Sequence, residues 1–282
     1  MCIREIFCKI PGFKSLFSKK PYVSVIRLSG VISDGGRGQT LSFAKCQKAI
    51  EKAFNVYDAK AVAIIINSPG GSPAQSALIG NLIRQKAIEK DIPVFAFVED
   101  VAASGGYWLA CAADEIYAQE TSIVGSIGVI SASFGLEDFI KRYDIKRRYH
   151  TAGESKGFMD PFLPEKEADL KRLKTLQADI HESFIAWVKG RRGDKLKGKD
   201  KELFTGEFWT AKRGLPLGLV DGLGDYLFVM KEKYGAKTKF VENAPDKGLI
   251  AGLLSGGNTS QSLADDIVVK LKSVLAWSRY GL

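Results

Sequence analysis

The chain has 282 residues, 45% of them apolar, and a formal net charge of +9 at pH 7. That is enough apolar material for one large folded unit, or one unit with an appended helical segment, and it excludes disordered and fibrous classes. Excess lysine on a solvated surface accounts for the charge, and the absence of zinc-finger spacing, an aromatic RNA-binding strand or a single basic helix argues against nucleic acid as partner.

The amino terminus, MCIREIFCKIPGFKSLFSKK, sets Ile3, Ile6, Phe7, Ile10, Phe13, Leu16 and Phe17 near helical spacing among lysines and Arg4. Segments of this kind lie in membrane interfaces, so peripheral membrane contact through residues 1–20 is one expectation; docking on the protein or on a neighbouring subunit is the other. Pro11 and Gly12 break the segment into two short pieces. It lacks the unbroken apolar run of a secretory signal, and no stretch of the chain reaches the roughly 18–20 apolar residues of a membrane span. The expected location is therefore cytoplasmic, with contact at the inner membrane surface.

From residue 22 strands and helices alternate. YVSVIRLSG (22–30) reads as a strand, TLSFAKCQKAIEKAFN (40–55) as a helix, and AVAIIINSPGG (61–71) as a β-branched strand closed by Pro-Gly-Gly. A helix follows over 74–90, a strand over 92–99, a short buried helix over 105–113 and a strand over 115–119. A helix over 136–143 and a strand at IKRRYHT (145–151) come next. Continuously apolar strands separated by helices predict an α/β fold with a parallel sheet covered on both faces. One long helix over 164–190 carries Leu170, Leu173, Leu176, Ile180, Phe184 and Val188 on its apolar stripe. A strand and helix region runs to about 241, a Gly/Asn/Ser-rich loop covers 255–262, and the last helix presents Ile267, Leu271, Val274 and Leu275 as a stripe that must pack on something. The expected division is an amphipathic segment at 1–21, one α/β domain at 22–242 and a linker with a terminal helix at 243–282.

Two small-residue turns carry the chemistry. NSPGGS (67–72) ends a strand with backbone N–H groups left uncovered, and Ser104 opens the next helix in DVAASGGYWLACAAD (100–114). Parallel strands present their carboxyl ends at one sheet edge, so the two turns are expected side by side. A serine hydroxyl beside free amides suits acyl transfer, but it needs a base. His150, His181 and Lys156 are the candidates, and spacing does not decide among them. Cys2, Cys8, Cys46 and Cys111 show no paired spacing, so reduced thiols with no structural metal and no cofactor are expected.

NSPGG, AASGGYWLA, TSIVGSIGVI, GESKGFMDPF and FTGEFWTAKRGLPLGLVDGLGDY, in that order over roughly residues 22–240, resemble the signal peptide peptidase A family of serine proteases. The resemblance implies a fold of the Clp protease and crotonase superfamily, with repeated β-β-α units, and a Ser-Lys dyad. Ser104 then matches the nucleophile and Lys156 the general base, with Ser126 orienting the lysine. Gly71 matches an oxyanion-hole position, and the N–H of Gly105 is a second donor. Where a Clp protease carries a histidine about 25 residues beyond its nucleophile, this chain has SIGVI (126–130). The family further implies peptide substrates with small or apolar residues, signal-peptide remnants among them, and ring-like homo-oligomers. The competing readings are a non-catalytic membrane-surface scaffold of the same fold and a crotonase-like acyl-CoA enzyme.

Overall fold

The computed structural model describes residues 20–34, 40–153, 155–243, 271 and 273–282. Its elements are β1 (Tyr22–Ser29), β2 (Val31–Ile32), β3 (Thr40–Leu41), α1 (Phe43–Phe54), β4 (Ala59–Ser68), α2 (Pro73–Lys90), β5 (Val94–Ala103), α3 (Gly105–Ala110), β6 (Glu115–Ala118) and β7 (Ile123–Gly125). These are followed by α4 (Glu137–Arg142), α5 (Glu167–Arg192), α6 (Asp200–Leu203), β8 (Phe208–Thr210), α7 (Ala211–Gly214), β9 (Gly222–Leu223), α8 (Tyr226–Tyr234) and β10 (Lys239–Asn243). The predicted amphipathic start, the 255–262 loop and Ile267 lie outside the described residues.

The main sheet runs β10-β1-β4-β5-β6-β9, and every neighbouring pair along that path is parallel. β7 extends it beside the end of β5, and β8 pairs antiparallel with β7. The central stretches of β1, β4 and β5 are buried and mostly apolar because both faces are covered. On one face Val23, Val25, Ala61, Ala63, Ile65, Phe95 and Phe97 pack against Val229 and Met230 of α8. On the other, Ile26, Leu28, Ile64, Ile66 and Ala96 meet Ile50, Ile79, Ile83 and Leu109 of α1, α2 and α3. This α/β architecture agrees with the Clp protease and crotonase-like expectation.

Local signals set the helix boundaries. Ser42 caps α1 by accepting from the N–H of Lys45. Ser72 caps α2 in the same way through Gln75, with Pro73 in the first turn where its missing donor costs nothing, and Asp91 ends the helix in the left-handed region. α5 is fastened at its carboxyl end. Arg192, 3% exposed, donates to the carbonyl of Gly218 (3.0 and 2.7 Å) and to Asp221 (2.6 Å). Burial pushes the Asp221 carboxyl up, but the hydrogen bond and charge of Arg192 outweigh it and hold it below its ordinary value.

Two expectations change. IKRRYHT forms no strand: its backbone is irregular, it pairs with no strand among the described residues, and its side chains are mostly exposed. The α5 stripe is also only half used, since Phe184 and Val188 are buried whereas Leu176 is 46% exposed. Among the described residues no helix is long and apolar enough to cross a membrane.

Candidate active site

β4 and β5 end side by side, and each ends in a glycine turn. After β4, Gly70 and Gly71 take φ values of 97° and 142°, a region closed to ordinary side chains. Ile32 donates to the carbonyl of Gly70 and accepts from Ser72, both at 2.8 Å. In this parallel bridge the N–H of the intervening Gly71 points away from β2 and toward solvent. A Cβ on Gly71 would lie 2.1 Å from the carbonyl oxygen of Ile32, so only glycine fits.

After β5, Ser104 precedes α3 with φ 53° and ψ −122°. Holding a non-glycine residue there costs about 1–3 kcal/mol, so the surroundings must impose it. They do so on three sides. The Ser104 N–H donates to the carbonyl of Gly125 at 2.9 Å, and its own carbonyl accepts from Trp108 at 3.0 Å. The third constraint is the other turn, for a Cβ on Gly70 would fall 2.8 Å from Ser104 Cβ, the Ala103 oxygen and the Gly105 nitrogen. Behind it α3 is buried throughout, and Tyr107 Oη donates to the carbonyl of Leu219 at 2.7 Å. Burial pushes the adjacent Cys111 thiol up to about 12.

Register places Ser126 beside Ser104. Ala103 is paired with Gly125, so the two serines are the next residue on each of two neighbouring strands. Ser126 also has positive φ, 53°, and its N–H donates to the carbonyl of Glu207 at 2.7 Å. Gly125 faces the Trp209 ring, which a Cβ would approach to 2.8 Å. α5 supports the same turn from outside: His181 Nε2 lies 3.0 Å from the carbonyl of Ile127, which requires the ring to donate from Nε2.

Ser104, Gly71, Gly105 and Ser126 line one cleft of about 670 Å³. Its walls are largely apolar, with Trp108, Val129, Ile130, Ile180, Phe184 and Phe208 among them. Trp108 stacks on Phe184 with ring centroids 4.9 Å apart. Within the described residues neither the Gly71 nor the Gly105 amide makes a hydrogen bond, so both remain available to a ligand oxygen.

Lys156 stands elsewhere. It is exposed, its N–H donates to the Gly153 carbonyl at 3.2 Å, and it is absent from the lining of the cleft. His150 is likewise exposed. The far wall of the cleft, Thr205, Gly206 and Phe208 with Ala276, Arg279 and Tyr280, was not anticipated as part of the site. The FTGEF motif contained a signal for the first three. For the last three there was only a terminal stripe that needed a packing partner.

A family model described as Peptidase family S49 matches residues 86–238, more than half of the chain and inclusive of Ser104, Ser126 and Lys156. A protein of Brucella melitensis named Na(+)/H(+) antiporter NhaA is 48% identical over 272 residues, covering 92% of this chain and 37% of that protein. The chloroplastic serine protease SPPA of Arabidopsis thaliana is 31% identical over 255 residues, covering 84% of this chain and 37% of that protein. The chain thus spans little more than a third of the length of either relative. Among solved structures, a mutant of the 1510-N membrane-bound stomatin-specific protease in complex with a substrate peptide aligns at a TM-score of 0.50 and 15% identity, over 89% of this chain and 99% of that one, a likeness of fold. With its glycine turns, cleft serine and matched residues, the chain belongs to peptidase family S49.

Proposed function

We propose that the chain is a serine endopeptidase that uses a Ser104–Lys156 dyad to cut short apolar peptides, signal-peptide remnants among them, with residues 22–242 as the catalytic unit. The observation that carries this reading is Ser104 itself. It is held at φ 53° at the mouth of an apolar cleft, beside two amides without partners. Strain of this kind persists where a fold over-determines it, and exposing a nucleophile is a sufficient reason.

In the proposed reaction neutral Lys156 takes the Ser104 proton as Oγ attacks the peptide carbonyl, and the Gly71 and Gly105 amides hold the resulting oxyanion. The lysine then passes that proton to the leaving amine. It next takes a proton from water, which attacks the acyl-enzyme, and returns it to Ser104. Ser126 orients the lysine. Because Lys156 lies outside the cleft on an exposed segment with Phe134, Phe139, Tyr143 and Ile145, the reading brings it to Ser104 from a neighbouring copy in a ring-like homo-oligomer. Burial against that copy would also favour the neutral amine.

The test is labelling with a fluorophosphonate, the adduct located by mass spectrometry. Adduct at Ser104, lost in Lys156→Ala, supports the dyad, whereas no adduct in folded, assembled protein favours the scaffold. Mixing Ser104→Ala with Lys156→Ala subunits should restore peptidase activity if the lysine crosses between copies. Mixtures as inactive as either parent reject that arrangement.

A further inference from the structure

We propose that the carboxyl-terminal segment, residues 273–282, occupies the substrate cleft of its own chain and competes with peptide for it. The inference rests on the reading of that cleft as the peptide site.

The backbone is helical over 273–278, and the half-buried residues are Ser273, Ala276, Trp277 and Tyr280. Their spacing of three, four and seven marks a single helix face turned inward. Ala276, Arg279 and Tyr280 line the cleft that Ser104, Gly71 and Gly105 also line. Tyr280 Oη donates to Ser126 Oγ at 3.3 Å, and the Tyr280 ring meets Phe208 edge to face with centroids 5.1 Å apart. The segment then turns back, Tyr280 and Leu282 both donating to the carbonyl of Trp277. At its end Leu282, 53% exposed, forms part of the rim of a second groove with Glu99, Asp100, Ser122 and Ile123.

The docked face and the stripe read from sequence are different faces. Leu271, Val274 and Leu275 are 59, 62 and 52% exposed, so the segment meets the cleft through Ala276, Arg279 and Tyr280, with one aromatic pair and one hydroxyl pair. A contact of that size is weak in isolation and is sustained by tethering. A tethered segment has an effective concentration in the millimolar range. If the same peptide free in solution bound with a Kd of about 0.1 mM, closed chains would outnumber open ones roughly tenfold. The contact has a second effect, since Tyr280 occupies one acceptor position of the Ser126 hydroxyl that the proposed mechanism assigns to orienting the lysine.

The experiment compares the wild-type chain with a full-length Ala276→Asp/Tyr280→Ala variant, both checked for folding by circular dichroism and Tm. The probe is a fluorescein-labelled synthetic peptide of residues 271–282, followed by anisotropy. The variant should bind it saturably and the wild type at least ~10-fold more weakly. Fluorophosphonate labelling of Ser104 should also run about 10-fold faster in the variant. Equal binding by both proteins, binding by neither, or equal labelling rates overturn the proposal. If the binding difference is present but Ser104 is labelled in neither protein, the nucleophile assignment fails while the docking stands, because the peptide measurement needs no chemistry. A Ser104→Ala variant as second background keeps binding measurable should the probe peptide be cut.

Discussion

Gly70→Ala probes the closest contact in the site. The added Cβ would meet three atoms at 2.8 Å, two of them backbone atoms at the junction of β5 and α3, and the residue has φ 97°. Left-handed backbone costs an L-residue about 1–2 kcal/mol, and forcing a methyl into a filled space adds about 1–3 kcal/mol. The sum, about 2–5 kcal/mol, corresponds to a fall in Tm of roughly 5–15 °C for a chain of this size. If the Ser104 turn instead moves to make room, the cost in stability shrinks but the hydroxyl proposed as nucleophile is displaced, and a displacement near 1 Å lowers reactivity about 100-fold. The two readouts, thermal unfolding and the rate of fluorophosphonate labelling, therefore trade against each other, and at least one must respond. Gly190→Ala is the control. Gly190 sits exposed in α5 with nothing within 4 Å of its would-be Cβ, so alanine there should stabilise by about 0.5–1 kcal/mol. A Gly70→Ala protein that melts and labels like wild type would refute the claim that the two turns interlock.

Other outcomes follow from the same coordinates. Arg192→Leu should cost about 1–3 kcal/mol, because Asp221 loses its buried partner and keeps only Lys195 at 3.0 Å and the Ile116 N–H at 2.7 Å; adding Asp221→Asn should recover part of that loss, as urea unfolding can show, and no recovery would mean that packing rather than charge is lost. Since the folded Asp221 pKa is depressed, its contribution is present above the unfolded carboxylate value near 3.9 and disappears as pH falls toward the lower folded value. Wild-type stability should therefore drop more steeply over that window than that of the double variant. His181→Ala should loosen the Ile127 turn and lower kcat for peptide with little change in KM, whereas His181→Gln, which retains a donor near Nε2, should restore it; equal effects of both would assign His181 to packing alone. Burial pushes the Cys46 and Cys111 thiols to about 11 and 12, so native protein should leave both unmodified by iodoacetamide at pH 8, and rapid alkylation of either would contradict their burial.

What the sequence discloses follows the range of the interactions involved. That the turns of Gly71 and of Ser104 and Gly105 would lie side by side was legible because each directly follows an apolar strand, and parallel strands deliver such turns to one edge; Ser126 entered only through the family resemblance. Lys156 had no such frame. The strand expected to precede it, IKRRYHT, sets three basic residues in a row and pairs with no strand among the described residues, and so short a segment forms a strand only where a ladder edge receives it. The half-buried stripe of α5 makes the same point for helices, since amphipathicity says that a face will be covered without naming the cover. His181, one of three candidate bases in the sequence, is a donor to a backbone carbonyl in the structure, a role that leaves no trace in composition or spacing. The Tyr280 contact joins residues 154 positions apart, beyond the reach of any local pattern.

The interlock of Gly70 with Ser104 bears on how this fold can be moved or divided. The matched family segment begins at residue 86, downstream of the turn that packs against the Ser104 backbone and carries the Gly71 amide. That turn is in turn gripped by Ile32 on β2. A fragment cut at the family boundary would carry the serine without its mould. The smallest transplantable module starts before β2, and a chimaera joined between β2 and α2 should remain inert however faithfully it copies the remainder.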